Sequence, residues 1–157
     1  MSQTVCEVGA ALPRFSLQDE LGNAVNSDDL RGRWVVLYFY PKDNTPGCTT
    51  QACDIRDHWE EFSNMENLAI YGVSPDSAAS HQRFRDKHAL PFSLLVDTDH
   101  ALAEQLGIWA EKTKFGKTYM GIVRSTVIVN PDGIVHAIKR NVRAADHVAW
   151  LRSELPS

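Results

Sequence analysis

Cysteines, long apolar runs and surplus positive charge are all scarce in this 157-residue chain. Its three cysteines, Cys6, Cys48 and Cys53, form no CxxC pair, so a structural zinc site is not expected and the thiols of a cytoplasmic protein should be reduced. The longest apolar run, residues 34–40, is too short to cross a bilayer. The net charge of -4 gives no reason to expect binding to nucleic acid or to an anionic membrane.

Signals for export and for metal binding are also missing. The N-terminus has no basic segment followed by an apolar one, so no secretory signal is expected and a cytoplasmic location is predicted. The six histidines are scattered along the chain. His81 and His88 lie two helical turns apart on a charged helix, which favours a solvated face over a metal site. We therefore predict neither a metal nor a cofactor.

What the chain does have is an ordinary globular composition, with 43% apolar and 23% charged residues, and we predict a single domain over residues 1–157. Strand patterns alternate with helix patterns and end in a hairpin and a last helix. This order predicts an α/β, thioredoxin-like fold: a mixed central sheet with helices on both faces and an N-terminal hairpin extension. The predicted strands are residues 15–19, 24–26, 33–40, 68–73, 92–96, 124–130 and 134–140, and the predicted helices are residues 48–63, 77–88, 99–106 and 144–154.

Cys48 stands at the predicted start of the helix over residues 48–63, behind Pro46 and Gly47. Helical spacing places it on the same face as the core residues Ala52, Ile55, Trp59 and Phe62. The unpaired N–H groups of a first helical turn, together with the helix dipole, stabilise an anion and should favour the nucleophilic thiolate. A buried, inert thiol is the commoner fate of a free cysteine, but the position at a helix N-terminus favours reactivity.

Cys53 lies on the same predicted helix, about 140° around it and about 7.5 Å along it from Cys48. The Cα atoms would then be roughly 8–9 Å apart, whereas a disulfide needs about 4.4–6.8 Å. Either Cys53 is a bystander, or the first turns of the helix unwind during function. Thr49 and Thr50 are poor helix formers, which slightly favours unwinding.

The segment PKDNTPGC at residues 41–48 resembles the PxxxTxxC active-site motif of peroxiredoxins. The longer stretch YFYPKDNTPGCTTQAC is similar to the peroxiredoxin Q group, also called the bacterioferritin comigratory protein group. A second stretch, GIWAEKTKFGKTYMGIVRSTVIVNPDG at residues 107–133, resembles the W-x-E-K…G-K-x-Y-x-G-I-x-R-S-T pattern of the same group. The resemblance extends over about residues 8–151.

The resemblance implies a role for each residue that matches the motif. Cys48 is then the peroxidatic cysteine, whose thiolate attacks a hydroperoxide and becomes a sulfenic acid. Thr45 orients the peroxide and the thiolate, Pro41 shields the sulfenic acid from water, and Arg124 sits over both reacting groups. Taken alone, these three residues read as a turn hydroxyl, a strand terminator and a strand-end ion pair. Gln51 either pairs with a neighbouring arginine or is solvated.

Members of the resembling group resolve the sulfenic acid with a cysteine on this helix or on the next one. Here the next helix offers Phe84 and no cysteine, so the resemblance implies that Cys53 resolves Cys48 as an intramolecular disulfide. A thioredoxin-type dithiol reductant, a monomeric state and a role in antioxidant defence are implied with it. Cys6 is expected to be an uninvolved thiol.

Two other functions fit the same fold. A general thiol–disulfide oxidoreductase normally carries CxxC, whereas this chain has CxxxxC. A redox sensor would not need Pro41, Thr45 and Arg124 together. The sequence therefore favours a peroxidase that reduces hydrogen peroxide and organic hydroperoxides, and it does not rank these substrates.

Overall fold

The computed structural model describes residues 7–65 and 67–156 and contains a seven-stranded mixed sheet. The strands, in chain order, are β1 (Ser16–Asp19), β2 (Ala24–Asn26), β3 (Trp34–Phe39), β4 (Leu68–Ser74), β5 (Ser93–Val96), β6 (Trp109–Lys114), β7 (Lys117–Ile122), β8 (Ser125–Val129) and β9 (Val135–Arg140). The large sheet has the order β2-β1-β5-β4-β3-β8-β9, and β6 and β7 form a separate two-stranded sheet. Strands β3, β4 and β5 are parallel, whereas β1, β8 and β9 run antiparallel to their neighbours. The predicted N-terminal hairpin, β1–β2, extends the sheet through β5.

Helices cover both faces of this sheet. They are α1 (Pro46–Asp57), α2 (Trp59–Ser63), α3 (Ala78–His88), α4 (Ala101–Gln105) and α5 (His147–Glu154), with short 3-10 helices at Ser27–Leu30 and Ala144–Asp146. Alternate residues of β3 point to opposite faces. Val36 and Tyr38 pack with side chains of α1, α2, α3 and α5, and Val35 and Leu37 pack with α4. The predicted mixed sheet with two covered faces is confirmed. None of the helices in the described part of the chain has the length and apolar character needed to span a bilayer.

The helix predicted over residues 48–63 differs from the observed one at both its start and its middle. It begins two residues earlier, at Pro46, because proline suits the first helical position, where its missing N–H costs no hydrogen bond. It is interrupted at His58, whose backbone leaves the helical region (φ -108, ψ 16) and whose Nδ1 donates to the Asp54 carbonyl oxygen at 2.8 Å. The predicted core-facing stripe is nevertheless present: Trp59 is partly buried against the core, and the other four members, Cys48, Ala52, Ile55 and Phe62, are buried.

The β6–β7 hairpin was not predicted from the sequence. Most of its side chains are exposed, so it lacks the apolar alternation that identifies a half-buried strand. Phe115 and Gly116 form its turn, and both have positive φ angles (54° and 76°), as a two-residue type I′ turn requires. The hairpin leads through Val123 directly to Arg124, just before β8.

Candidate active site

The candidate site forms where β3 ends and α1 begins. Thr45 is the extended residue that precedes the helix (φ -91, ψ 157), Pro46 is the first helical residue, and Cys48 is the third. The thiol is therefore in the first turn, where backbone N–H groups have no carbonyl acceptor one turn earlier. Its side chain is 1% exposed, beside the core residues of the same helix. The predicted position of Cys48, at a helix N-terminus on the core-facing side of that helix, is confirmed, and the side chain is fully buried.

Arg124 reaches across from the start of β8 to the sulfur. Its Nη2 lies 3.3 Å from Cys48 Sγ, and its Nη1 donates to Gln51 Oε1 at 2.6 Å. A Cβ atom on Gly47 would lie 3.1 Å from Nη2, so the glycine leaves the space in which the guanidinium sits. Among the described residues, no carboxylate lies within 4.0 Å of this guanidinium, which argues against a strand-end ion pair. The arginine partner considered for Gln51 is present.

Gln51 continues the contacts into the core. Its Nε2 lies 3.1 Å from His147 Nδ1, and His147 Nε2 lies 2.8 Å from Thr126 Oγ1. Gln51, Thr126 and His147 are each 0% exposed. A row of four hydrogen-bonding residues thus runs from the sulfur of Cys48 to strand β8: Arg124, Gln51, His147 and Thr126. We call it the Arg124 relay.

Burial, and secondly the charge of Arg124, lower the pKa of His147 to about 3 from the usual 6.5. Between these two values the unfolded chain binds a proton at this side chain and the folded protein does not. The free energy of unfolding should therefore fall as the pH drops from about 6.5 toward 3, by up to about 1.4 kcal/mol per pH unit from this residue. Urea unfolding from pH 7 to pH 4 measures this slope.

His147→Asn is the matched variant for that measurement, because asparagine keeps a hydrogen-bond acceptor and does not titrate. The variant should be less stable than the wild type at pH 7 but should lose less stability on acidification. Equal slopes for the two proteins would show that His147 is not held neutral in the fold.

A second buried cluster holds the loop that carries Pro41 and Thr45. Asp43 accepts hydrogen bonds from Tyr40 (2.5 Å), Ser80 (2.8 Å) and His81 Nδ1 (2.7 Å). His81 Nε2 donates to the Leu95 carbonyl oxygen at 2.8 Å. The prediction that His81 lies on a solvated helix face was wrong: it is 0% exposed, because it shares the inner face of α3 with Phe84 one turn later.

Three groups of this cluster, on Asp43, Asp76 and His81, place their oxygen and nitrogen atoms within 4.8 Å of one another, a spacing that fits a metal ion. Hydrogen bonds account for the same spacing. Asp76 Oδ2 accepts from the Asp43 N–H and from the Ser74 hydroxyl, both at 2.7 Å. The oxygen and nitrogen atoms of these three residues are thus already used in hydrogen bonds that hold the loop.

The other predicted site residues have these places. Pro41 is partly buried two residues after the end of β3, and Thr45 is partly buried with its hydroxyl donating to the Lys42 carbonyl oxygen at 2.9 Å. Cys53 is partly exposed on the continuous helix α1, and both it and Cys48 are free thiols. The prediction for Cys6 lies outside the described residues.

Sequence reasoning missed three residues that the structure places around Arg124. The sequence identifies Gly47 only as the residue before Cys48, and it assigns no role at the site to Thr126 or His147. The dipeptide Pro46-Gly47 before Cys48 was a usable signal for close packing at the helix start. Nothing local marks His147, because it follows Gln51 by 96 positions and meets it only in the folded chain.

Comparison with known proteins matches residues 8–138 to the AhpC/TSA family. The chain is 49% identical to Peroxiredoxin Bcp of Bacillus subtilis over 143 residues, which is 91% of this chain and 90% of that protein. It is 39% identical to Peroxiredoxin Bcp of Escherichia coli, covering 93% and 96% of the two chains. A solved structure of the Xanthomonas campestris bacterioferritin comigratory protein, described for its alkyl peroxide reduction activity, superposes with a TM-score of 0.85 at 36% identity, covering 96% of each chain.

Proposed function

The chain belongs to the AhpC/TSA family and is a thiol peroxidase of the peroxiredoxin type, and we propose that Cys48 is the thiol that attacks the hydroperoxide. The observation that carries this assignment is the 3.3 Å contact between Arg124 Nη2 and Cys48 Sγ in the first turn of α1. A permanently charged guanidinium and the first-turn N–H groups both stabilise a negative charge on sulfur. A cysteine that only fills space in the core needs neither a guanidinium nor free N–H groups beside its sulfur.

The reaction begins as the Cys48 thiolate attacks the distal oxygen of the peroxide. An S–O bond forms, the O–O bond breaks, and the leaving oxygen takes a proton to give water or an alcohol. Cys48 is oxidised to a sulfenic acid and the peroxide is reduced. Arg124 Nη2 lies 3.3 Å from the sulfur, so the guanidinium is near enough to the reacting atoms to stabilise the charge that develops on the leaving oxygen.

Pro41 and Thr45 are proposed to complete the pocket. The Thr45 hydroxyl is one helical turn from Cys48 and donates to a loop carbonyl, and rotation about its χ1 angle can turn it toward a peroxide oxygen. Pro41 lies in the loop that Asp43 anchors, and we propose that it shields the sulfenic acid from water. Arg124, Thr45 and Pro41 thus have the proposed roles of cation, hydroxyl donor and shield.

Cys53 is proposed to resolve the sulfenic acid. Its thiolate attacks Cys48 sulfur, an intramolecular disulfide forms and water leaves. Because α1 is continuous from Pro46 to Asp57, the two sulfurs meet only if the first turns unwind. Helix α3 contains no cysteine and carries the buried Phe84, so it supplies no alternative resolving thiol.

Cys53→Ser tests this step. Without a reductant, the variant should consume about one equivalent of hydrogen peroxide and keep a sulfenic acid on Cys48 that reacts with dimedone. The wild type should instead form a Cys48–Cys53 disulfide, which mass spectrometry of its peptides detects. Wild-type protein that is fully oxidised yet lacks this disulfide would remove Cys53 from the mechanism and leave the assignment of Cys48 intact.

Recycling needs an external reductant. We propose that a thioredoxin-type dithiol reduces the Cys48–Cys53 disulfide and is itself oxidised to a disulfide. Because resolution is intramolecular, no second subunit is required, and we propose a monomer that acts as one domain in the cytoplasm in defence against peroxides. The substrates proposed are hydrogen peroxide and organic hydroperoxides, as the alkyl peroxide activity of the Xanthomonas campestris protein suggests.

A further inference from the structure

The Arg124 relay contains one residue with no place in the reaction described above, His147. It is the first residue of α5, it is fully buried, and its two ring nitrogens contact Gln51 and Thr126. Among the described residues, its side-chain hydrogen-bond partners are these two residues and not Cys48. The hydrogen bond to Gln51 connects it to Arg124.

The hydrogen-bond polarity of the relay has only one consistent assignment. A guanidinium has donors and no acceptor, so the Gln51 atom that faces Arg124 is the amide oxygen. The amide NH2 group then faces His147 Nδ1 and needs an acceptor there. The single ring proton is thus on Nε2 and is donated to Thr126 Oγ1.

Because these side chains are buried, the hydrogen-bond assignment affects the energy of the site. Gln51 and His147 are both 0% exposed, so no bulk water replaces a lost partner. If Nδ1 were absent, the buried NH2 group of Gln51 would have no acceptor, and if Nδ1 carried a proton, two donors would face each other. Either change favours a different position of the Gln51 side chain, and Arg124 would then be held less firmly against the sulfur.

We propose that His147 is a positioning residue, which fixes the Gln51 amide in the orientation that holds Arg124 on the Cys48 sulfur. The inference rests on the proposed function of Cys48. It concerns the positioning of Arg124, whereas the proposed function concerns which thiol attacks the peroxide. Thr126 takes part by keeping the ring proton on Nε2.

The pair His147→Asn and His147→Gln separates positioning from packing. The asparagine amide lies near the place of Nδ1 and can accept from Gln51, whereas the longer glutamine side chain carries its amide to the place of Nε2. The rate of Cys48 oxidation by hydrogen peroxide, followed in a single turnover by tryptophan fluorescence, should fall about tenfold in His147→Gln. It should stay within about threefold of the wild type in His147→Asn. The pH midpoint for alkylation of Cys48 by iodoacetamide should rise in His147→Gln alone.

A second comparison asks whether the effect passes through Arg124. In an Arg124→Leu background, adding His147→Gln should cause no further slowing, because the group that His147 positions is gone. Equal slowing in both backgrounds, or oxidation of His147→Gln at the wild-type rate, would overturn the proposal. Thr126→Val leaves the histidine in place and should slow oxidation by a smaller factor, about threefold, which provides the test if His147→Gln does not fold. A wild-type protein whose Cys48 does not react with peroxide would instead contradict the proposed function.

Discussion

Cys48→Ser is expected to reduce peroxide turnover to the uncatalysed background. Serine nearly matches cysteine in size, so the buried first turn of α1 should pack as before. Its hydroxyl, however, is not ionised near neutral pH, and neither Arg124 nor the helix N-terminus changes this enough to make it a nucleophile toward peroxide. The consumption of hydrogen peroxide in the presence of excess dithiothreitol measures the loss.

Cys53→Ser is the control for that experiment. A small dithiol can reduce a sulfenic acid directly, so this variant should keep turning over with dithiothreitol while Cys48→Ser does not. Near-normal activity in Cys48→Ser would show that the attacking thiol is elsewhere, with Cys53 and Cys6 as the remaining candidates.

The start of α1 was predictable because its signals are local. A proline, a glycine and a cysteine in succession after a buried strand indicate a turn followed by a helix N-terminus, and this is where Cys48 lies. The prediction began the helix two residues late because Pro46 was read as part of the turn. Arg124 was placed at the site by resemblance to a family motif, since its sequence position alone fits an ordinary strand-end ion pair equally well.

The supporting side chains were not predictable, because the contacts that define them are distant in sequence. His81 has the charged neighbours of a solvated helix face, and the polar partners that make its burial possible, Asp43 and the Leu95 carbonyl oxygen, lie 38 and 14 positions away. His147 bonds to Gln51 through one ring nitrogen and to Thr126 through the other, and the three residues lie on three separate elements. Helical periodicity identifies the buried face of a helix, but it does not identify the residue that hydrogen-bonds to a polar side chain on that face.

In the core beneath Cys48, two strands carry a close contact between a backbone position and a side chain that no sequence pattern reveals. A Cβ atom at Gly72 on β4 would lie 2.9 Å from the hydroxyl of Tyr38, which is on β3 beneath the site. Tyr38 stacks on Tyr40 and tilts against His147, with ring centroids 5.5 Å and 5.6 Å apart. The glycine therefore lets β3 carry a large aromatic side chain between the Asp43 cluster and the Arg124 relay. Both groups that position the site thus rest on the same aromatic layer.

Arg124→Leu is expected to slow the oxidation of Cys48 by hydrogen peroxide by about 10²–10³-fold, the usual loss when a preorganised donor to developing charge is removed. Under the proposed function, Arg124 has two separable roles, stabilising the thiolate and stabilising the leaving oxygen. Iodoacetamide reacts with the thiolate and breaks no O–O bond, so its rate depends only on the first function. Alkylation at pH 7 should consequently slow less than oxidation does.

Arg124→Lys provides the matched comparison, because lysine keeps the charge and loses the fork of donors. In the wild type, one N–H group contacts Cys48 while the other contacts Gln51, and a single ammonium cannot reproduce this paired geometry. Arg124→Lys should thus keep most of the alkylation rate and lose about tenfold or more in oxidation. Two results would contradict this prediction: oxidation of Arg124→Leu at nearly the wild-type rate, or an equal slowing of its oxidation and its alkylation. Either result would show that the guanidinium has no specific part in breaking the O–O bond. The first-turn N–H groups of α1 would then have to stabilise the leaving oxygen alone.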